Sequence, residues 1–227
     1  MLERQTSEFD RGLSFFDAIY GFAITLLIAN LDVPPSEAWE DPAALLATGI
    51  VHQLGGFALS FAVIAVFWRI NVRLVKRITA MDSTTTGANL VAAAFVILIP
   101  FTTQGMSDPS SAAYALPTVL YAVNIALASL AQLAMFEVAR ARGVEAAPLT
   151  HRENVAHVID ALATPVTFLA SIPVALVWGG YAGKLSWLSL FLIGPLVERL
   201  AWGRANTGRT GDRAGSSPET GARGARA

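Results

Sequence analysis

A helix needs about 20 consecutive apolar residues to cross the hydrocarbon core of a bilayer, and several runs in this chain approach that length. No other feature constrains the fold as strongly. A chain of 227 residues is long enough for one or two soluble domains. Such domains carry about a quarter charged residues, whereas here 15% are charged and 54% are hydrophobic. The expected fold class is therefore an all-α integral membrane protein with six transmembrane helices. The net charge of −1 supplies no field that would recruit nucleic acid, and the lack of cysteine excludes disulfides, thiolate metal sites and cysteine nucleophiles. Glu3, Glu8 and Asp10 precede the first apolar run and no small-residue cleavage site follows it, which speaks against a cleavable signal.

Helix punctuation divides the apolar sequence. The first span is expected from Leu13 to Leu31, ending before Asp32 and the Pro34-Pro35 pair. The second is expected to open at Asp41-Pro42, a capping acid followed by proline at the first helical position. It runs through Trp68 and persists beyond the bilayer to Arg77. The third covers Gly87 to Thr103, with Pro100 near its end, and the fourth covers Ala112 to Ala139 after caps at Ser110 or Ser111. Thr150-His151-Arg152-Glu153 reads as a capping box that opens a fifth span, which ends near Trp178. The sixth is expected from Leu185 to Trp202. Residues 1–12 then form a cytoplasmic N-terminus, 13–203 the membrane domain, and 204–227 a basic tail whose composition predicts disorder.

Six spans place every lysine and arginine except Lys184 on one side. By the positive-inside rule that side is the cytoplasm, and both termini lie there.

Ionisable residues are scarce at mid-membrane depth: Asp17, Glu137, Asp160 and Glu198 fall near span ends, and His52 lies in the far part of the second span. Intramembrane charges usually mark proton relays and coupled-ion sites, so this pattern argues against a pump and against an intramembrane hydrolase. No serine–histidine pair, metal-spaced histidine pair or phosphate loop is present, and no enzyme activity or cofactor is expected. Gly179-Gly180-Tyr181-Ala182-Gly183 reads better as a short turn than as a carbonyl filter. His151 and His157 flank a helix start and are expected to be solvated.

The densest local signal opens the first span. Arg11 is followed after three residues by Phe15, Phe16 and Asp17, and Ser14, Ala18, Gly21 and Thr25 fall on one helical stripe. On composition alone that stripe is a packing seam, because small residues let membrane helices approach closely. Trp68 fits an interfacial anchor. Downstream come Trp68-Arg69-Ile70-Asn71, then Asn89 and Ile99-Pro100-Phe101-Thr102-Thr103, then Tyr121 and Asn124.

In this order and spacing, these residues resemble the bacterial members of the endosomal and lysosomal potassium channel family, transmembrane protein 175. The family's signature is Arg, three residues, then Phe-Ser-Asp; Arg11, Phe15 and Asp17 match it, and Phe16 stands where serine is usual. Asn71 stands where the family shows histidine. The resemblance implies a potassium-permeable cation channel in which one six-span repeat supplies a quarter of a homotetramer and the first helix lines the pore. It implies a hydrophobic constriction at Phe22, with Thr25, Leu26 and Ala29 above it, and a structural network drawn from Arg11, Asp17, Trp68, Asn71 and Asn89. Potassium is the implied permeant, and the bilayer and three further copies are the implied partners. A proton or cation leak pathway, or a non-conducting membrane scaffold, are the alternatives on the same fold.

Overall fold

The computed structural model describes residues 2–3, 6–190, 193–197 and 199–200. Six of its helical segments are long and apolar enough to cross a membrane. The side on which the chain begins is called the near side below, and the opposite one the far side.

Helix α1 (Ser7–Ala29) starts six residues before Leu13. The Thr6 hydroxyl accepts from the Phe9 amide at 3.3 Å, and Glu8 and Asp10 lie in the first turn, where acids complement the helix dipole. The second span is also corrected. Asp41 does cap a helix, accepting from the Ala44 amide at 3.3 Å, but that helix is the short α2 (Pro42–Ala47). Gly49 ends it with a left-handed φ of 81°, and a side chain at Gly49 would strike the Pro109 ring. The spanning helix is α3 (Ile50–Lys76).

The third span is α4 (Ser83–Ile97) followed by α5 (Ile99–Ser107). The break falls two residues before Pro100, which has no N–H to continue the ladder. Ser110 and Ser111 do not cap the fourth span, α6 (Ala115–Ala141). The Ser110 hydroxyl and amide donate to Asp108 Oδ1 at 2.5 and 2.7 Å. These bonds hold the Asp108 carboxyl below the ordinary range. Ser111 donates to the Gly105 carbonyl at 2.7 Å. Helix α7 (His151–Trp178) opens on the expected capping box, with Thr150 N to Glu153 Oε2 at 3.0 Å and Glu153 N to Thr150 Oγ1 at 3.3 Å. It stays continuous through Pro165 and Pro173. His157 is half-buried and packs edge-on against Phe136 with centroids 4.6 Å apart.

Helix α8 (Gly180–Ser186) begins the sixth span, Gly180–Val197, five residues before Leu185. The glycines at 180 and 183 therefore start a helix instead of forming a turn. Trp202, Glu198 and the tail 204–227 lie outside the described residues.

Helix α6 is the hub. Tyr121, Ala122, Ile125, Ala128, Met135, Phe136 and Ala139 along its length are completely buried. Tyr121, Phe168 and Trp187 form a ring cluster with centroids 5.0 to 6.2 Å apart. Through the same core Thr103 Oγ1 donates to Ser60 Oγ at 2.7 Å, and Ser60 lies 3.2 Å from the Tyr121 hydroxyl. Each of these three buried hydroxyls thus has a partner, as the low dielectric favours. On the near side, β1 (Leu2–Glu3) pairs antiparallel with β2 (Ala80–Met81). The Thr79 amide donates to the Val144 carbonyl at 2.8 Å, and the Ala146 amide to the Arg77 carbonyl at 2.7 Å. Three segments that are distant in sequence are thereby tied where α1 begins.

Candidate functional site

Helix α1 is predominantly apolar past its first turns, yet covered on one face only. Phe9, Phe16, Tyr20, Ala23 and Leu27 recur at helical spacing and are buried against α3, α4 and α5. The opposite face stays open: Ser14, Ala18, Gly21, Thr25 and Ala29 are exposed, Phe15 is 55% exposed, Phe22 70% and Leu26 47%. Less than a quarter of the most apolar stretch of α1 is buried, against more than half of that of α6.

What fixes this orientation is a line of polar contacts down the covered edge. Near the start, Trp68 Nε1 donates to Asp17 Oδ1 at 2.9 Å. At mid-depth, Gln132 Nε2 donates to the Tyr20 hydroxyl at 3.1 Å and to the Phe67 carbonyl at 2.9 Å. At the far end, Asn30 Nδ2 donates to the Pro100 carbonyl at 2.9 Å. Just beyond it, Gln53 Nε2 donates to Asp32 Oδ2 at 2.9 Å and the Asp32 amide to Gln53 Oε1 at 3.0 Å. Hydrogen bonds in a hydrocarbon surrounding are directional, whereas apolar packing lets a helix rotate at little cost. The clasps therefore set which face of α1 is presented.

The expected network is present in two separate pieces. Asp17 meets Trp68, and Asn71 Nδ2 donates to Asn89 Oδ1 at 2.6 Å in the core. Asn71 and Asn89 reach neither Asp17 nor Arg11 among the described hydrogen bonds. Phe16, at the signature serine position, is 2% exposed and packs with Phe9, Leu74, Val75 and Phe136. An apolar ring thus stands at the position where the resembled signature has a serine. Arg11, expected in the segment before the first span, is helical. It lies inside α1, and six helical residues turn it about 120° away from Asp17. The described ion pairs, Arg140–Glu137 and Arg142–Asp82, include neither residue.

Gln132, Tyr20, Asn30 and Gln53 hold α1 in place at positions that the motif did not reveal. A glutamine in mid-span is costly unless it is bonded, and that signal marks Gln132 in the sequence. Its partners lie 112 and 65 residues away, so the fold alone identifies them.

Phe22, Leu26 and Ala29 share one helical face, and Arg11 lies three turns before Phe22 on the same face. The Thr25 hydroxyl donates to the Phe22 carbonyl at 2.9 Å, so its oxygen lone pairs are left to accept or coordinate. No cluster of three or more His, Cys, Asp or Glu able to hold a metal occurs among the described residues.

A family model described as endosomal/lysosomal potassium channel TMEM175 matches residues 11–100, from the signature arginine to the proline of the third span. No curated protein matches. Among solved structures, the crystal structure of a lysosomal potassium-selective channel TMEM175 homolog from Chamaesiphon Minutus is similar, with a TM-score of 0.60 and 21% sequence identity. The match covers 89% of this chain and 98% of that one, and at this identity it establishes the fold. The first three spans of this multi-pass membrane protein thus match the TMEM175 family model in sequence, and nearly the whole chain shares the fold of a channel homolog described by the same name.

Proposed function

We propose that four copies of this chain form a potassium-permeable cation channel lined by the open face of α1. One observation carries this reading: α1 is clasped rigidly on one edge while its other face, with Phe22 70% exposed, is left uncovered at the margin of a bundle whose own centre is filled. The match of residues 11–100 to the potassium channel family model supports potassium as the permeant. A heterologous contact repeated about a four-fold axis closes into a ring, in which the four α1 helices converge. Phe22 forms the narrowest ring, with Thr25, Leu26 and Ala29 on its far side. Selectivity then rests on narrowness and on partial dehydration at an apolar constriction, with the free lone pairs of Thr25 replacing part of an ion's water shell.

The Arg11–Asp17 pair belongs, in this reading, to the contact between copies. Both residues are exposed and point away from each other within one chain. Asp17 keeps Oδ2 free while Oδ1 accepts from Trp68. Native mass measurement in mild detergent is expected to give four copies, and Asp17→Asn to lower the tetramer fraction while leaving ion preference unchanged. A stable monomer or dimer across detergents counts against the ring. The direct test is flux from purified protein in liposomes, with a reversal potential that favours potassium over sodium. Proton-only flux would instead indicate a leak pathway, and no flux a scaffold.

Orientation follows from the arrangement of basic residues, which assigns the near side to the cytoplasm. A reporter fused after Arg204 should be active only when it is cytoplasmic; activity of an exterior-specific reporter there would reverse the assignment.

A further inference from the structure

Away from α1, a groove of about 350 Å³ opens on the far side between α3 and the sixth span. Its polar end holds His52, Tyr181 and Lys184; below them lie Leu59, Leu185 and Leu188. The His52 and Tyr181 rings meet edge to face at 5.3 Å. Lys184 Nζ sits 4.9 Å from the Tyr181 ring centroid and donates to the Met106 and Ala112 carbonyls at 2.8 and 3.0 Å. All these partners are neutral. An ammonium carries three donors, so one N–H is unassigned, and no carboxylate neutralises the cation among the described contacts. Leu59 lies two turns below His52, about 10 Å deeper along α3. Leu188 lies one turn beyond Lys184. Tyr181, Leu185 and Leu188 are all exposed.

A half-desolvated cation at the edge of a membrane span calls for an anion. The aliphatic wall beneath it gives that anion an apolar extension. We propose that this groove binds an anionic glycerophospholipid, with its phosphate against Lys184 and the Tyr181 hydroxyl and one acyl chain along Leu59, Leu185 and Leu188. The charge complementarity identifies the headgroup, and the depth of the leucines below it identifies the chain. The site is independent of the pore reading, since it uses no residue of α1.

Native mass spectrometry of the full chain, titrated with phosphatidylglycerol and with phosphatidylcholine of the same acyl chains, tests this. Phosphatidylglycerol should be retained preferentially. Lys184→Gln should weaken its retention by about tenfold, the scale of one charge-assisted hydrogen bond, while Lys184→Arg preserves the preference. Leu188→Trp, which fills the groove without touching the cation, should reduce retention of both lipids. Equal retention of the two lipids by the unmodified chain, unchanged binding in Leu188→Trp, or full competition by inorganic phosphate would overturn the proposal. If Lys184→Gln fails to fold, Leu188→Trp and the phosphate competition decide it.

Discussion

Replacing Phe22 by alanine is expected to raise potassium flux into liposomes by roughly tenfold or more, which corresponds to removing at least ~1.4 kcal/mol of barrier, and to weaken the preference over sodium. The phenyl ring projects from α1 with 70% of its surface uncovered in the single chain, so four such rings around an axis would meet nothing but one another. An apolar ring this narrow expels water, and an ion must shed hydration to pass it. Alanine removes the dewetted ring and its narrowness together. Four phenyl rings also close a pathway more completely than aliphatic side chains, so the unmodified protein should conduct weakly at rest. Gly21 supplies the control. A Cβ there meets no atom within 4 Å, so Gly21→Leu is expected to leave the fold of one subunit intact, contrary to what its place in a small-residue stripe suggests. If Gly21→Leu blocks flux in intact tetramers while Phe22→Ala changes nothing, the small stripe faces the axis instead.

The second large effect is on folding. Gly180→Val should destabilise the subunit by about 3 kcal/mol, as forced overpacking does, and lower the melting temperature in detergent by roughly 5–10 °C. A Cβ at Gly180 would stand 2.5 Å from the Tyr114 carbonyl oxygen, and 2.9 Å from both the Ala112 carbonyl oxygen and Thr118 Oγ1. Two of these three atoms are backbone and cannot swing aside. The Gly180 amide also donates to the Ala113 carbonyl at 3.1 Å, which pins the start of the sixth span to the turn before α6. A melting curve that matches the unmodified protein would show that this junction yields. Flux measured on whatever tetramer survives should keep its ion preference, because the junction lies away from α1.

The elements legible in the sequence were those set by short-range chemistry. Span-length apolar runs, the Asp41-Pro42 start and the Thr150–Glu153 capping box need only neighbours within a few residues. The interruption at Gly49 was not legible, because the close approach that leaves no room for a side chain there comes from Pro109, sixty residues away. The same holds for Ser110, whose hydroxyl turned to Asp108 and left the next helix uncapped. At α1 the motif marked the helix whose open face carries the proposed pore. Arg11 and Asp17 do not pair within one chain because the helix already begins at Ser7, and that start fixes the angle between them. Phe16 shows the limit of a signature: the residue is buried as a core side chain must be, and the Asn71–Asn89 bond stands apart from Asp17. Gln132 could be marked as a costly buried amide, but its grip on Tyr20 required the fold.

The contrast between α6 and α1 has a consequence for how activity depends on abundance. One chain has a closed core around α6, so reaching that state is a unimolecular event. In the proposed tetramer α1 is covered by neighbouring copies, so that step follows mass action in the plane of the bilayer. In the dilute regime the four-copy species grows as the fourth power of copy number, and doubling expression would multiply conducting units about sixteenfold. A cell could then hold a folded, silent reserve of subunits and bring it into use by concentrating them into a smaller patch of membrane, with no ligand and no chemical modification involved.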